Sequence, residues 1–327
     1  MARFIVKRLL GMIPLLLGVT FMSFLVMSLV PGNFLSNLKM NPAISPQTIH
    51  QMEVQFGLNQ PLLVRYFKWL WNAMHLDFGI SLAYRVSVVN LIAARALNTM
   101  ILAATSMLLS WALAIPIGIV VAVRQNSIWD RVLSFLAFFG MSLPNFFFAF
   151  LLMFVALRTG WFPIGGTVSP DYDRLDAWSR VLDRADHLIL PVIVLGTAGM
   201  AGLMRLMRSQ ILEIKNSEFV RTARAKGLPE RIVLYKHVLR NALNPFITLA
   251  GYSLADLLGG AALVEAVMNL QGLGLLLLDA VRSLDVYLVM GSVLSGTLLL
   301  LVGNLLADVA LVAVDPRVDF GSLGDSS

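Results

Sequence analysis

The sequence predicts an all-α integral membrane protein, with six transmembrane helices and a cytoplasmic helix–turn–helix loop between the fourth and fifth. Three observations predict it. Of 327 residues, 58% are hydrophobic and 13% charged, whereas a soluble domain carries about 25% charged residues. Six apolar stretches, at about 9–30, 98–123, 132–157, 188–207, 246–268 and 287–314, approach or exceed the roughly 20 residues a spanning helix needs. Between the fourth and fifth lies a polar segment, 209–245, that holds seven Lys and Arg.

The elements follow in order. The chain opens with Arg3, Lys7 and Arg8, as a signal peptide would. The apolar run 9–30 exceeds a 7–15-residue signal core, and no A-x-A site follows, so it reads as a retained first span. In the gap 31–97, Ser45-Pro46 has the pattern of an N-cap and first helical residue. A second helix is expected over 61–75, carrying Tyr66, Trp69 and Trp71 as membrane-interface aromatics and ended by Asp77-Phe78-Gly79. The gap 124–131 is short, and 158–187 holds five Asp. Pro14, Pro116, Pro144 and Pro191 are candidate kinks. Gly196, Gly199 and Gly202 smooth one side of the fourth span, for close helix packing or as a hinge.

Sidedness follows from the basic residues. With the N-terminus in the cytoplasm, Arg3, Lys7, Arg8, Arg124, Arg131, Arg205, Arg208, Arg317 and the seven of 209–245 lie inside, 15 of the 25 Lys and Arg. The chain then reads as one membrane domain, 1–327. Its cytoplasmic parts are 1–8, 209–245 and 315–327, and 31–97 is extracytoplasmic. The net charge of +6 is spread among the gaps between apolar runs, which argues against a nucleic-acid partner.

Several chemistries are excluded. The chain has no cysteine, hence no disulfide, thiolate site or cysteine nucleophile. His50, His75, His187 and His237 are scattered without metal-ligand spacing. Gly272-Leu273-Gly274 lacks the pattern of a phosphate-binding loop. Neither G-x-S-x-G nor H-E-x-x-H occurs. No cofactor is expected on this chain.

The basic segment parses as a helix over 216–226 with Ser217 at its N-cap, Gly227 at a position needing φ > 0, and Pro229 beyond. A second helix over 231–242 ends before Asn244-Pro245. Phe219, Val220, Ala223, Ala225, Leu228, Ile232, Val233 and Tyr235 would need a protein partner or groove. The other reading is a basic loop resting on lipid headgroups. Within the spans, Asp256 stands near the middle of the fifth, where a charge costs roughly 2.5–3.5 kcal/mol. It either faces a polar pathway or is held between helices. Glu265 either reaches water at the end of that span or lines the pathway. Asn145, Asn304 and Asp308 fit hydrogen bonding between helices, and Asn145 is also a pathway candidate.

The segment Arg221-Thr222-Ala223-Arg224-Ala225-Lys226-Gly227-Leu228 resembles the EAA loop of bacterial ABC importer permeases, in the dipeptide/oligopeptide/nickel branch. The resemblance covers nearly the whole chain. It includes Arg8-Leu9 with Ile13-Pro14, Val30-Pro31-Gly32, Phe56-Gly57-Leu58-Asn59-Gln60-Pro61, Tyr66 with Trp69-Leu70, and Asp77-Phe78-Gly79-Ile80-Ser81. It continues in Ile115-Pro116-Ile117-Gly118, Ser142-Leu143-Pro144, Leu190-Pro191 with Arg205, Arg240-Asn241-Ala242 and Gly272-Leu273-Gly274. The chain departs from the family in Arg221, where broader loops have Glu, in Asn33-Phe34, and in Leu284-Asp285-Val286-Tyr287, where R-D-Y-P is usual.

The resemblance implies a type I importer fold in a bacterial cytoplasmic membrane, carrying peptides or similar small polar solutes. It implies four kinds of partner: a second, related permease subunit, two cytoplasmic ATPase subunits holding ATP and Mg, an extracytoplasmic binding protein, and lipid. Glu218, Arg221, Thr222, Ala223, Arg224, Ala225, Lys226 and Gly227 would couple to the ATPase, with Ala223 and Gly227 small enough for close approach. Asn145, Asp256 and Glu265 are the pathway candidates. The alternatives are a stand-alone secondary transporter or channel and an intramembrane enzyme.

Overall fold

Hydrophobic runs this long close their backbone hydrogen bonds within themselves, so helices dominate. The computed structural model describes every residue except 1, 33, 40–44, 56, 58, 247–248, 250–260 and 315–327. Asp256, Arg317 and much of the expected fifth span lie outside the described residues. The helices are α1 (Ala2–Leu29), α2 (Phe34–Lys39), α3 (Pro46–Gln55), α4 (Leu62–Met74), α5 (Val88–Val123), α6 (Ile128–Ser142) and α7 (Asn145–Thr159). After a 3₁₀ turn at Tyr172–Arg174 come α8 (Ala177–Ala198), α9 (Met200–Lys215), α10 (Glu218–Ala225) and α11 (Glu230–Ile232). A π-helical segment, Val233–Leu239, leads into α12 (Arg240–Ala242). Residues 261–267 are helical, followed by α13 (Leu273–Arg282) and α14 (Val286–Val314). Among the described residues there is no strand, only one bridge between Ile80 and Ser87. The all-α expectation holds.

Among the described residues, three helices are long and apolar enough to cross a membrane by themselves: Ile5–Leu29, Val88–Val123 and Val286–Leu305. The expected spans at 132–157 and 188–207 are bent pairs. α6 and α7 meet at 101°, α8 and α9 at 46°. The first bend has a local cause: Leu143, before Pro144, is extended at ψ 127, as a pre-proline residue must be. Pro14, Pro116 and Pro191 stay inside continuous helices. The second bend falls at Gly199, not at Pro191. The three glycines of that span divide accordingly. A Cβ on Gly196 would come within 2.9 Å of the Leu109 side chain, so this glycine permits close packing, and its carbonyl accepts from Ser110 Oγ. Gly199 and Gly202 face open space.

The chain forms two compact units. The first, Met1–Thr99 with Gln271–Leu301, is built around Phe24, Tyr66, Trp69, Phe78, Val88, Leu276 and Met290. Here the helix starts follow the sequence closely. Ser45 Oγ accepts from Thr48 N at 3.2 Å, capping α3. α4 runs from Leu62 to Met74 as expected. Its aromatics do not share one role. Tyr66 and Trp69 are buried, while Trp71 is exposed. Tyr66 is claimed by α1, its hydroxyl 3.0 Å from Thr20 Oγ1 and donating to the Leu17 carbonyl at 3.2 Å. Phe21 packs edge-on against its ring at 5.2 Å.

The second unit, Met100–Leu270 with Val302–Ser327, holds the bent pairs and the basic loop. Gly118 sits where a Cβ would lie 2.6 Å from Met207 Cβ and 2.9 Å from the Met204 carbonyl, so α5 and α9 pack with almost no space between them.

Candidate coupling loop and polar residues of the spans

The basic loop is a folded object. α9 ends at Lys215, and the chain reverses through Asn216 and Ser217. Ser217 occupies the expected N-cap of α10 with extended backbone, φ −71 and ψ 154, yet its side chain does not cap it. The hydroxyl instead donates to the Ile214 carbonyl at 2.7 Å, one of the orphan acceptors at the end of α9. α10 closes at Gly227 with φ +77. Leu228 N donates to the Ala223 carbonyl and Gly227 N to the Arg224 carbonyl, the paired bonds of a Schellman motif. The glycine expected from sequence is there for the expected reason.

Beyond Pro229 the second helix differs from expectation. It is α-helical only at its two ends and π-helical over Val233–Leu239. Val233, Val238 and Ala242 are the buried residues of this stretch. The first two are five apart, a spacing an α-helix would turn away from one face. Bonds from i to i+5 bring both onto the same core.

That core joins the loop to its own chain. Val220, Ala223, Val233, Val238, Ala242 and Phe246 pack with Met207, Ile211 and Ala122. Trp111 meets the Phe246 ring edge-on at 6.0 Å. The eight apolar residues read as seeking a partner therefore split. Val220, Ala223 and Val233 are satisfied internally, whereas Phe219, Ala225, Leu228, Ile232 and Tyr235 remain exposed. Ala223 faces inward and Ala225 outward. Glu218, Arg221, Thr222 and Ala225 form the outward stripe of α10, with Lys226 and Gly227 exposed at its end.

Two ion pairs order the charges. Arg221 Nη1 is 2.8 Å from Glu218 Oε1 on the same helix. Arg224 spans the turn, with Nη2 donating to Glu230 Oε1 at 2.7 Å and Nε to Oε2 at 3.1 Å, while Nη1 reaches the Lys215 carbonyl at 3.4 Å. This bidentate bond holds the Glu230 carboxyl below its usual value, slight burial opposing it, and raises Arg224. One guanidinium thus ties the ends of α9, α10 and the start of α11.

The polar residues of the spans are placed unevenly. Asn145 is the first residue of α7, half-buried at the 101° bend. Glu265 is fully buried, which overturns the reading that it reaches water. Its neighbours Ala261 and Val264 pack with Leu102, Val194 and Leu195. Asn304 Oδ1 is buried without a hydrogen-bond partner among the described residues, and Asp308 is buried.

Two acidic residues went unnoticed in the sequence. Asp285, part of the segment that departs from the family, is fully buried. It accepts from Ser81 Oγ at 2.7 Å, Ala83 N at 3.0 Å and Leu288 N at 3.2 Å, so it starts α14 and pins the loop before α5. An Asp immediately before a long apolar run was the available signal. Asp130 accepts from Arg208 Nη2 at 3.0 Å and from Asn126 N at 2.9 Å, while Ser127 Oγ accepts from Asp130 N. The signal here was Ser127-x-x-Asp130, the spacing of a capping box, although Asp130 takes the Asn126 amide rather than that of Ser127.

Long apolar helices carrying a folded, charged helix pair, with hydrophobic side chains left exposed on it, define an integral membrane protein. Comparison with known proteins specifies it. Residues 114–320 match the family described as binding-protein-dependent transport system inner membrane component, and residues 1–103 match its N-terminal counterpart. The chain belongs to this family. It is 41% identical over 322 residues to the oligopeptide transport system permease protein AppB of Bacillus subtilis, covering 98% of this chain and 100% of that protein. It is 34% identical over 335 residues to the dipeptide transport system permease protein DppB of Escherichia coli K12, covering 97% and 99%. Among solved structures it resembles the inward-facing MetNI methionine ABC transporter, with a TM-score of 0.53 and 18% identity, over 69% of this chain and 96% of that one. That likeness is one of fold. The chain is thus a permease subunit of an ABC importer, a transport component rather than an enzyme. The stand-alone transporter and the intramembrane enzyme are set aside.

Proposed function

We propose that the chain supplies half of an alternating-access pathway for peptides, paired with a second, related permease subunit. Two cytoplasmic ATPase subunits carry the ATP and Mg, and an extracytoplasmic binding protein delivers the solute. The observation that carries the coupling role is the folded loop with Phe219, Leu228, Ile232 and Tyr235 exposed beside Arg221 and Lys226. Apolar side chains ringed by cations suit a groove with an acidic rim. The peptide class rests on what the relatives AppB and DppB carry.

In this reading the chain is a single membrane domain of six spans, with both termini and 209–245 in the cytoplasm of a bacterial cell. Glu218, Arg221, Thr222, Ala225, Lys226 and Gly227 meet the ATPase, while Ala223 and Arg224 brace the loop from behind. Asn145, Asp256 and Glu265 are assigned to the pathway, Glu265 gaining access in an opened state. The test is reconstitution in proteoliposomes with the subunits encoded beside it. ATP-dependent uptake of labelled di- and oligopeptides that requires the binding protein is expected. Uptake without ATP, or cross-links from Tyr235 that never reach the ATPase, would overturn it.

A further inference from the structure

α4 has three sides. Tyr66, Trp69 and Ala73 are buried against the core of the first unit. A second side bears Arg65, Lys68 and Asn72, which with Gln60 and Asp77 line a cavity of about 210 Å³. Arg65, half-buried, stacks its guanidinium over the Phe24 ring at 5.4 Å. The third side is a stripe of Leu63, Val64, Phe67, Trp71 and Met74, all exposed. Five adjoining apolar side chains on one short helix are more than the scattered exposure normal for a protein surface.

The level of α4 along α1 bears on what covers the stripe. Tyr66 bonds to Thr20 and to the Leu17 carbonyl of α1. Thr20 is nine residues from the end of α1 at Leu29, about 13 Å along a helix rising 1.5 Å per residue. The hydrocarbon core is about 30 Å thick, so this contact lies well inside one leaflet. α1 itself is covered over only 11% of its spanning window. The span is apolar along this length, and a helix lying against it at that level suits lipid wherever its own side chains are apolar.

We propose that α4 is an in-plane membrane helix, its stripe of Leu63, Val64, Phe67, Trp71 and Met74 laid against the acyl chains of one leaflet and its Arg65–Lys68–Asn72 side turned to water. The helix then walls an aqueous vestibule off from the bilayer. Placing that vestibule outside the cell rests on the sidedness proposed above; the lipid contact does not.

The chain has no cysteine, so single-cysteine variants need no prior substitution. Spin labels at Phe67→Cys, Trp71→Cys and Asn72→Cys would be read by power saturation in nanodiscs, in full-length chain assembled with its partner subunits. Oxygen should relax the labels at 67 and 71 several-fold more effectively than a water-soluble nickel chelate, and the order should reverse at 72. Equal access of the chelate to all three sites would overturn the proposal. So would shielding of 67 and 71 from both reagents, the signature of a protein partner. A membrane-impermeant maleimide reports side separately. Labelling at 72 only from the interior, with 67 and 71 still in lipid, would support the lipid contact and overturn the sidedness.

Discussion

Substitution of Gly227 tests the coupling loop most directly. With φ +77, this residue is in the left-handed region, where an L side chain costs roughly 1–2 kcal/mol. No atom lies within 4 Å of the position a Cβ would take, so bulk adds nothing and the cost is one of backbone alone. A penalty of that size moves the local balance between closed and frayed turn by about fivefold to thirtyfold. Asn, which tolerates this region, should suffer least, Ala more, and β-branched Val most. Gly227→Asp shares the Asn backbone and adds a charge, so the Asn–Asp pair isolates electrostatics at the ATPase face. The assay is substrate-stimulated ATPase activity of the reconstituted complex, alongside hydrogen exchange at the Leu228 amide, which bonds to the Ala223 carbonyl. Exchange protection and ATPase stimulation should fall together in the order Asn, Ala, Val, with the permease still inserted. Wild-type stimulation in Gly227→Val, or a worse result for Asn than for Val, would refute the reasoning.

Other expectations follow from the same geometry. Asp285→Ala strands three donors, Ser81 Oγ, Ala83 N and Leu288 N, at about 1–3 kcal/mol for each one left unsatisfied; the melting temperature in detergent should drop by several degrees, with Asp285→Asn intermediate. The Arg224–Glu230 pair lowers the Glu230 carboxyl from 4.5. Its support is therefore present at neutral pH and fades only as pH falls through that lowered value, so proteolytic cutting within 218–232 should rise only in acid, below the ordinary carboxylate range. Because both groups are partly exposed, Glu230→Gln should cost no more than about 1 kcal/mol at neutral pH. Gly118→Ala forces a methyl group against Met207 and the Met204 carbonyl; a loss of about 1–3 kcal/mol is expected from overpacking, measured by thermal unfolding of the purified subunit.

Legibility in the sequence followed the range of the forces involved. Features set by neighbours in the chain were readable: the cap of Ser45 on α3, the limits of α4, the left-handed Gly227 and the break before Pro144. Features set by packing between distant segments were not. Tyr66 and Trp69 look like interface aromatics until α1 is placed against them. Val220, Ala223 and Val233 look like docking residues until Met207 and Ile211 cover them. Glu265 could be read as reaching water or lining the pathway, and the fold encloses it. Composition identifies which side chains avoid water; it does not say which neighbour shelters them.

The π-helical stretch at Val233–Leu239 has a genetic corollary. Losing one amino acid from an ordinary helix swings everything downstream by about 100° and drags its apolar face out of register. Here the winding already carries one residue more than regular α-geometry would use between Val233 and Val238. Excising a single codon within 234–237 should let the segment relax to a four-residue spacing, leaving Val238, Ala242 and Phe246 against Ile211. The same excision at 240–241 should dislodge Ala242 and Phe246 instead. An insertion-and-deletion scan of the loop, scored by peptide-dependent growth, would therefore find one tolerant window in an otherwise intolerant stretch.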